Sequence, residues 1–245
     1  MAVRSEKRRN SEQPVSALSI IIPTLNEADG IVDALDALSE LRANGAEVIV
    51  ADGGSGDRTA ELARPRCDKL VEAPRGRGAQ MNAGAQVATG SVFLFLHADT
   101  RLPEGADRLV ADGLATSRRA WGWFDVTIAG RSALLPVVAG LMNWRSRLTG
   151  IATGDQAMFA DRRAFWQVGG FPDVPLMEDI VLSRRLRQIS TPLCLNARVV
   201  TSGRRWDEHG PMRTIWLMWR LRAAHSFGAD PHTLARAYGY VPRER

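Results

Sequence analysis

Three short apolar runs, each ending in polar or glycine residues and each followed by a segment of helical periodicity, constrain this chain most. LSIIIP (18–23), AEVIVAD (46–52) and SVFLFLHAD (91–99) are continuously hydrophobic rather than alternating, as strands covered on both faces are. After the first run, Ile31, Leu35, Leu38 and Leu41 recur at helical spacing up to a stop at Asn44-Gly45. A second helix starts near Asp57, DKLVEA supplies another strand, and GRGAQMNAGAQVA enters a third helix. Pro103 opens a helix toward Ala115. Alternation of this kind builds right-handed βαβ crossovers and a parallel sheet, which binds ligands beyond the carboxyl ends of its strands. At those ends stand Thr24-Leu25-Asn26-Glu27, Asp52-Gly53-Gly54-Ser55 and His97-Ala98-Asp99.

Beyond residue 120 the regularity weakens. WGWFDVTI reads as a strand of opposite direction, LLPVVAGLMNWRSRL as an apolar-then-basic helix, and QAMFADRRAFWQVGGF as strand, turn and short helix ended by Gly169-Gly170. Glu178 to Ile189 is an arginine-rich helix, LCLNARVV a last strand, and the remainder is helical up to Gly228. The fold expected is α/β: one domain with a Rossmann-like, mostly parallel sheet flanked by helices and a mixed C-terminal half. Its divisions are a basic disordered tail (1–16), a nucleotide-binding half (17–115), an acceptor and catalytic half (116–206), a C-terminal helix (207–228) and an extension (229–245).

Lys and Arg number 32 against 27 Asp and Glu, for a net charge of +5. Lys7 and Lys69 are the only lysines, so the positive charge is arginine, whose planar fork suits phosphate and carboxylate. The bias fits an acidic ligand, anionic lipid or nucleic acid, and equally a solvated basic surface. Cys67 and Cys194 make no disulfide framework and no metal spacing, which fits a reducing cytoplasm. No stretch reaches the ~18 apolar residues of a spanning helix, and the basic N-terminus lacks the apolar core of a secretory signal.

Four segments carry chemistry. Asp52 ends its strand before Gly53 and Gly54, where the backbone can approach a ligand and a carboxylate can accept from a base N–H or a ribose hydroxyl; a turn aspartate capping the next helix is the alternative. Arg75-Gly76-Arg77-Gly78 runs into a helix N-terminus, a setting for phosphate or simply an exposed basic turn. His97-Ala98-Asp99 closes the most apolar strand, and residues two apart in an extended chain share a side, so both can face Mg²⁺ or Mn²⁺. Glu178-Asp179 begins a helix, one carboxylate available as a cap and the other as a general base; the alternative gives both to the helix dipole.

The order of these segments resembles the family 2 glycosyltransferases of GT-A fold. PTLNE (23–27) is similar to the family's first-strand signature, ADGGSGDRT (51–59) to its DGGSxDxT turn, LHADT (96–100) to its DxD segment and GGFP…MEDIVLSRRLR (169–187) to its ED motif. The resemblance covers about residues 17–206, and GDQAMF (154–159) with SGRRW (202–206) resembles a compact bacterial subgroup whose names refer to arsenosugar or carotenoid-acid glycosylation. It implies that Pro23, Thr24, Asn26 and Glu27 line the nucleotide pocket, that Asp52 and Gly53 meet the base, and that Arg77, Gly78 and Asn82 lie near the ribose or diphosphate. It further implies that Asp99 holds a divalent metal (Mn²⁺ or Mg²⁺) and that Asp179 is the acceptor-activating base. His97 stands where many relatives carry the first carboxylate of DxD, which puts metal identity in doubt.

The expected reaction is inverting transfer from a nucleotide-diphosphate sugar. Glu178 lies beside the base. Arg204 and Arg205 are candidates to clamp phosphate and Trp206 to stack on sugar or base, with surface structure as the equal alternative. Asp155 and Gln156 are candidates to hold sugar or acceptor hydroxyls, and His209 an additional metal ligand. PMRTIWLMWRLRAAHSF (211–227) and LLPVVAGLMNWRSR (134–147) read as core-packing helices with solvated arginines or as helices lying in a membrane interface, the latter implying a lipid or lipid-linked acceptor and the inner face of the plasma membrane. A nucleotidyltransferase and a non-catalytic basic module are the rival readings; the first lacks its Gly-rich loop after the first strand, and nucleic acid is not the expected partner.

Overall fold

The structure is a computed structural model and describes residues 18–240. The basic tail (1–16) and the end of the extension (241–245) lie outside the described residues.

The first half runs β1 (Leu18–Thr24), α1 (Ile31–Asp36), α2 (Ser39–Ala43), β2 (Glu47–Asp52), α3 (Thr59–Ala63), β3 (Lys69–Glu72), α4 (Arg77–Val87) and β4 (Val92–Phe95). The second runs β5 (Thr100–Arg101), α5 (Ala106–Ser117), β6 (Trp121–Ala129), α6 (Leu135–Thr149), β7 (Phe159–Asp161), α7 (Arg162–Gln167), α8 (Glu178–Leu186), β8 (Leu193–Ser202), α9 (Arg204–His209), α10 (Pro211–Ser226) and α11 (Pro231–Tyr238). One sheet holds all eight strands in the order β3-β2-β1-β4-β7-β6-β8-β5.

The continuous apolar runs are explained by burial on both sides. Ile20 and Ile22 of β1, with Val48 and Val50 of β2, pack toward α1, α2, α5 and α6. The alternate residues Ile21 and Ile49 join Phe93, Phe95, Trp121 and Trp123 against α4, α7 and α8. Helix α4 lies so close to β1 that a Cβ on Gly84 would come within 2.5 Å of the Ile21 side chain. That contact fixes where the N-terminus of α4 meets the ends of the strands.

Several expectations change. Strand β6 is not reversed: β7 runs antiparallel to both β4 and β6, so β6 keeps the direction of β4 and pairs parallel with β8. The reversal belongs to the three-residue β7 and to β5, which is antiparallel to β8. The expected helix through Leu41 breaks into α1 and α2, although Ile31, Leu35, Leu38 and Leu41 all face the core as their spacing requires. Helix α5 starts at Ala106 rather than Pro103, behind a left-handed Gly105. Strand β4 ends at Phe95, so His97 and Asp99 stand on the turn beyond it and not on extended chain. Past Gly228 the extension carries α11, which packs on α10 through Leu221, Leu234 and Ala235.

Candidate active site

The turns after β1 and β2 are tied together by their own polar groups. Asp52 Oδ2 accepts the N–H groups of Gly54 (3.1 Å) and Ser55 (2.9 Å), while Oδ1 accepts the hydroxyls of Thr24 (3.2 Å) and Ser55 (2.5 Å). Across the turns, the Asn26 N–H donates to Ser55 Oγ, the Glu27 N–H to Thr59 Oγ1, and the Gly56 N–H to Asn26 Oδ1. Asn26 sits at φ +54°, where asparagine is among the residues that tolerate the left-handed region. Pro23 is buried within β1. The Gln80 amide donates to the carbonyls of Thr24 (2.6 Å) and Ala51 (3.0 Å), bolting α4 to the ends of β1 and β2, and leaves room only for hydrogen at Gly53. Sequence reading missed Gln80. Its spacing to Gly84, on the sheet-facing side of α4, is the signal that points to it.

Gly78 and Asn82 turn out to hold the protein to itself rather than to stand open near a ribose. A Cβ on Gly78 would lie 2.8 Å from the Pro172 carbonyl, and Asn82 both donates to the Phe171 carbonyl (2.9 Å) and accepts its N–H (3.0 Å). These contacts clamp the 171–178 loop, which carries Glu178-Asp179, against α4.

Around that clamp Arg77, His97, Asp155, Glu178 and Asp179 meet. Arg77 Nε lies 3.8 Å from Glu178 Oε1, and His97 Nδ1 lies 3.3 Å from Asp155 Oδ1. Burial works against the Arg77 cation, but Glu178, Tyr238, Asp155 and Asp179 more than offset it and keep the guanidinium firmly charged. Burial also opposes the His97 imidazolium, yet the bond to Asp155 holds its pKa above the ordinary value. Asp155 is likewise resisted by burial and is held below the carboxylate range by His97, then Arg77 and Arg205. Glu178 moves the other way: burial, and the neighbouring Asp179, raise it against the pull of Arg77. Asp179 Oδ2 accepts the Gly154 N–H (2.9 Å) and Oδ1 the Ile180 N–H (2.7 Å). With Phe95, His97, Gly154, Phe171 and Glu178 it lines a small cavity. Neither Glu178 nor Asp179 is the N-cap of α8; that position is Met177, at φ +68°.

Gln156, expected to hold a sugar hydroxyl, is fully buried and accepts from Ser146 Oγ (2.7 Å) and the Thr153 N–H (3.1 Å) inside the Thr153–Gln156 capping box. Trp206 is half-buried and packs on the main core cluster. Arg205 stacks on the Tyr238 ring, its guanidinium carbon 3.6 Å from the centroid, and donates to the Tyr238 carbonyl. Tyr238, on α11, thereby joins the cluster; burial raises its pKa while Arg77 and Arg205 oppose. Sequence reading missed it, because α11 lies beyond every motif. Arg145 of α6 was missed too: burial depresses its pKa and Asp179 counteracts.

A second group gathers at the turn after β4. Asp99 is exposed; its carbonyl accepts the Ser202 N–H (3.1 Å), and its carboxylate accepts the long bond from Thr100 Oγ1 (3.4 Å). Burial raises the pKa of Glu27, with Arg204 lowering it and Asp99 raising it, so these three charges face one another together with His97. An oxygen-donor cation fits here: Mg²⁺ or Mn²⁺ is held in such sites by one or two carboxylates, with phosphate and water completing the shell. His97 is turned to Asp155, and its ring closes on Gly154, where a Cβ would meet it at 2.5 Å. His209 ends α9, exposed, with Glu208 as its charged neighbour at 3.9 Å. Among the described residues no three His, Cys, Asp or Glu side chains are grouped to hold a metal by themselves.

Comparison with known proteins identifies a family and a fold. The "Glycosyl transferase family 2" model matches residues 19–168. A PGL/p-HBAD biosynthesis glycosyltransferase of Mycobacterium tuberculosis is 39% identical over 98 residues, 37% of this chain and 38% of the relative's own length. An undecaprenyl-phosphate 4-deoxy-4-formamido-L-arabinose transferase of Pseudomonas fluorescens is 31% identical over 85% of this chain and 64% of its own length. Among solved structures, mannosyltransferase PcManGT from Pyrobaculum calidifontis, in complex with GDP-Man and Mn2+, superimposes with a TM-score of 0.61 at 24% identity, covering 91% of this chain and 69% of its own. S. aureus TarS 1-349 in complex with UDP-GlcNAc gives 0.61 at 18% identity, covering 76% and 58%.

Proposed function

The chain belongs to the family 2 glycosyltransferases, and on that premise we propose that it moves a sugar, with inversion, from a nucleoside-diphosphate sugar to a lipid or lipid-linked acceptor. The observation that carries this reading is the ring of paired charges about Asp179, closed against the apolar walls of Phe95 and Phe171 beyond the ends of the strands. Elements joining in such a site need not share any purpose in folding; ionisable groups shifted by one another in a cleft mark function more often than packing.

The nucleotide lies over the turns after β1 and β2. Asp52 is suited to a base N–H because one of its oxygens is anchored by backbone while the other holds only hydroxyls, which rotate away at little cost. Pro23, Thr24, Asn26, Glu27 and Gly53 shape the rest of that pocket. Arg77, at the N-terminus of α4, faces the diphosphate, together with Arg204 and Arg205. Asp99 would hold a divalent cation, which would supply positive charge for the departing diphosphate. Asp179 removes the proton of the acceptor hydroxyl as the acceptor oxygen bonds to the anomeric carbon. The bond from that carbon to the diphosphate oxygen breaks on the far face, and the nucleoside diphosphate leaves with the electron pair. Asp155, fixed by His97, meets sugar or acceptor hydroxyls.

Support for a lipid acceptor comes from the P. fluorescens relative, which is named for undecaprenyl-phosphate. Support for the donor and cation comes from the fold neighbours, whose complexes contain GDP-Man with Mn2+ and UDP-GlcNAc. Thermal unfolding with UDP-, GDP- and dTDP-sugars, each with and without Mn²⁺, tests the donor: a ligand at about 100 times its Kd stabilises the native state by about 2.7 kcal/mol. One of the sugars with Mn²⁺ is expected to raise the Tm; if none does, the reading fails.

A further inference from the structure

Helices α6 and α10 each carry a second apolar face that none of the described residues covers. On α6, from its N-cap onward, Leu134, Val137, Leu141, Trp144 and Leu148 recur at helical spacing and are 47% to 70% exposed, while Leu135, Val138 and Ala139 fill the core from the opposite side. On α10, Met212, Trp216 and Trp219 are 63% to 74% exposed, and Phe227, just past its end, is 92% exposed. The inner side of α10 packs through Ile215 on the same core cluster as α6 and through Leu217 and Leu221 on α11. A helix apolar on both sides belongs in a core or at a membrane; in water an uncovered stripe of this size is an interaction site.

The charge on the two helices identifies what covers them. Neither contains an Asp or Glu, and together they carry Arg145, Arg147, Arg213, Arg220 and Arg222. Arg220 lies over the Trp216 ring at 4.8 Å, an apolar stem and ring with the charge at the rim. Tryptophan with flanking arginine is the composition of helices that lie among lipid headgroups. A second copy of this chain would set arginine against arginine with no carboxylate on either helix, so a symmetric dimer through this face is disfavoured. No helix among the described residues is long and apolar enough to cross a membrane.

We propose that α6 and α10 dock the protein on an anionic lipid bilayer, with Trp144, Trp216, Trp219 and Phe227 entering the interface and Arg213, Arg220 and Arg222 of α10 meeting lipid phosphates. The inner side of α6 is tied to the site: Ser146 Oγ donates to Gln156 Oε1 (2.7 Å) in the turn whose Gly154 N–H donates to Asp179 Oδ2 (2.9 Å). Docking through α6 therefore holds the candidate base within a short chain of hydrogen bonds of the docked helix. The role of that base rests on the proposed transfer to a lipid-linked acceptor; the docking itself does not.

Co-sedimentation of the full chain with phosphatidylcholine vesicles, with or without about one third phosphatidylglycerol, reads docking without any substrate. The expected result is binding to the anionic vesicles at low salt, weakened by high salt, and a loss of about tenfold or more in affinity in the Trp144→Ser/Trp216→Ser/Trp219→Ser variant. These indoles are exposed, so the variant is expected to keep the circular dichroism of the wild type and its nucleotide-sugar-induced rise in Tm. No binding to anionic vesicles, equal binding by the folded variant, or a solution dimer dissolved by the variant overturns the proposal. Vesicle binding with no nucleotide-sugar response would uphold docking and sink the transfer reading instead.

Discussion

The two rims of the cleft are built from similar residues and do opposite things. On the first, after β1 and β2, Thr24, Asn26, Asp52, Ser55 and Thr59 satisfy one another or nearby backbone at 2.5–3.2 Å. On the second, Arg77, His97, Asp155, Glu178 and Asp179 are crowded so that each shifts or opposes the charge of its neighbours. The first rim shapes a surface by spending its polar groups locally. The second gathers charge at the cleft, and the 171–178 loop is held there by Arg77, Gly78 and Asn82 of α4.

Substitutions separate the rims. Asp99→Asn is expected to remove the Mn²⁺-dependent part of the donor-induced rise in Tm and to lower turnover by about 10²-fold, with little change in unliganded stability. Loss of stability without loss of the Mn²⁺ effect would move the cation elsewhere. Asp52→Ala leaves the Gly54 and Ser55 N–H groups without their acceptor and is expected to cost about 2–3 kcal/mol, seen as a lower urea midpoint. An unchanged midpoint would mean the first rim is not self-supporting. Gly78→Ala drives a methyl toward the Pro172 carbonyl and is expected to cost about 1–2 kcal/mol, net of the better helix propensity of alanine. Because the displaced loop carries Asp179, turnover should fall more than the folded fraction does; equal falls would uncouple loop and base.

Glu47, at the other end of β2, calibrates the comparison. Burial opposes its ionisation, but bonds with Lys69 (2.6 Å), Ser19 (2.6 Å) and the Thr89 N–H (2.8 Å) hold its pKa below the ordinary value. A depressed carboxylate contributes stability above its unfolded pKa and loses it as the pH falls through the lower folded value. Glu47→Gln should therefore cost about 1 kcal/mol near neutral pH and flatten the acid limb of stability against pH, without touching donor binding. An acid limb as steep as the wild type's would refute it.

Much of this was legible in the sequence because local rules wrote it. Continuous apolar runs announced strands buried on both faces, and Gly and Asp marked the turns at the strand ends. What escaped depended on partners distant in the chain. The direction of β6 is decided by β7, three residues long, and no pattern within WGWFDVTI records it. The structural bonds of Gln80 and Gln156 come into view only when the carbonyls of Thr24 and Ala51, or the hydroxyl of Ser146, are seen beside them. Tyr238 reaches Arg205 across 33 positions from a helix without a motif. The stripes on α6 and α10 were visible as apolar periodicity, but only packing separates their covered side from the uncovered one.

The division of labour between the rims is tested most directly by Asp179→Asn, followed simultaneously for donor binding and transfer. The account predicts a donor-induced Tm rise equal to that of the wild type and a turnover about 10²–10⁴-fold lower. A variant that binds the donor and transfers sugar at the wild-type rate would contradict it.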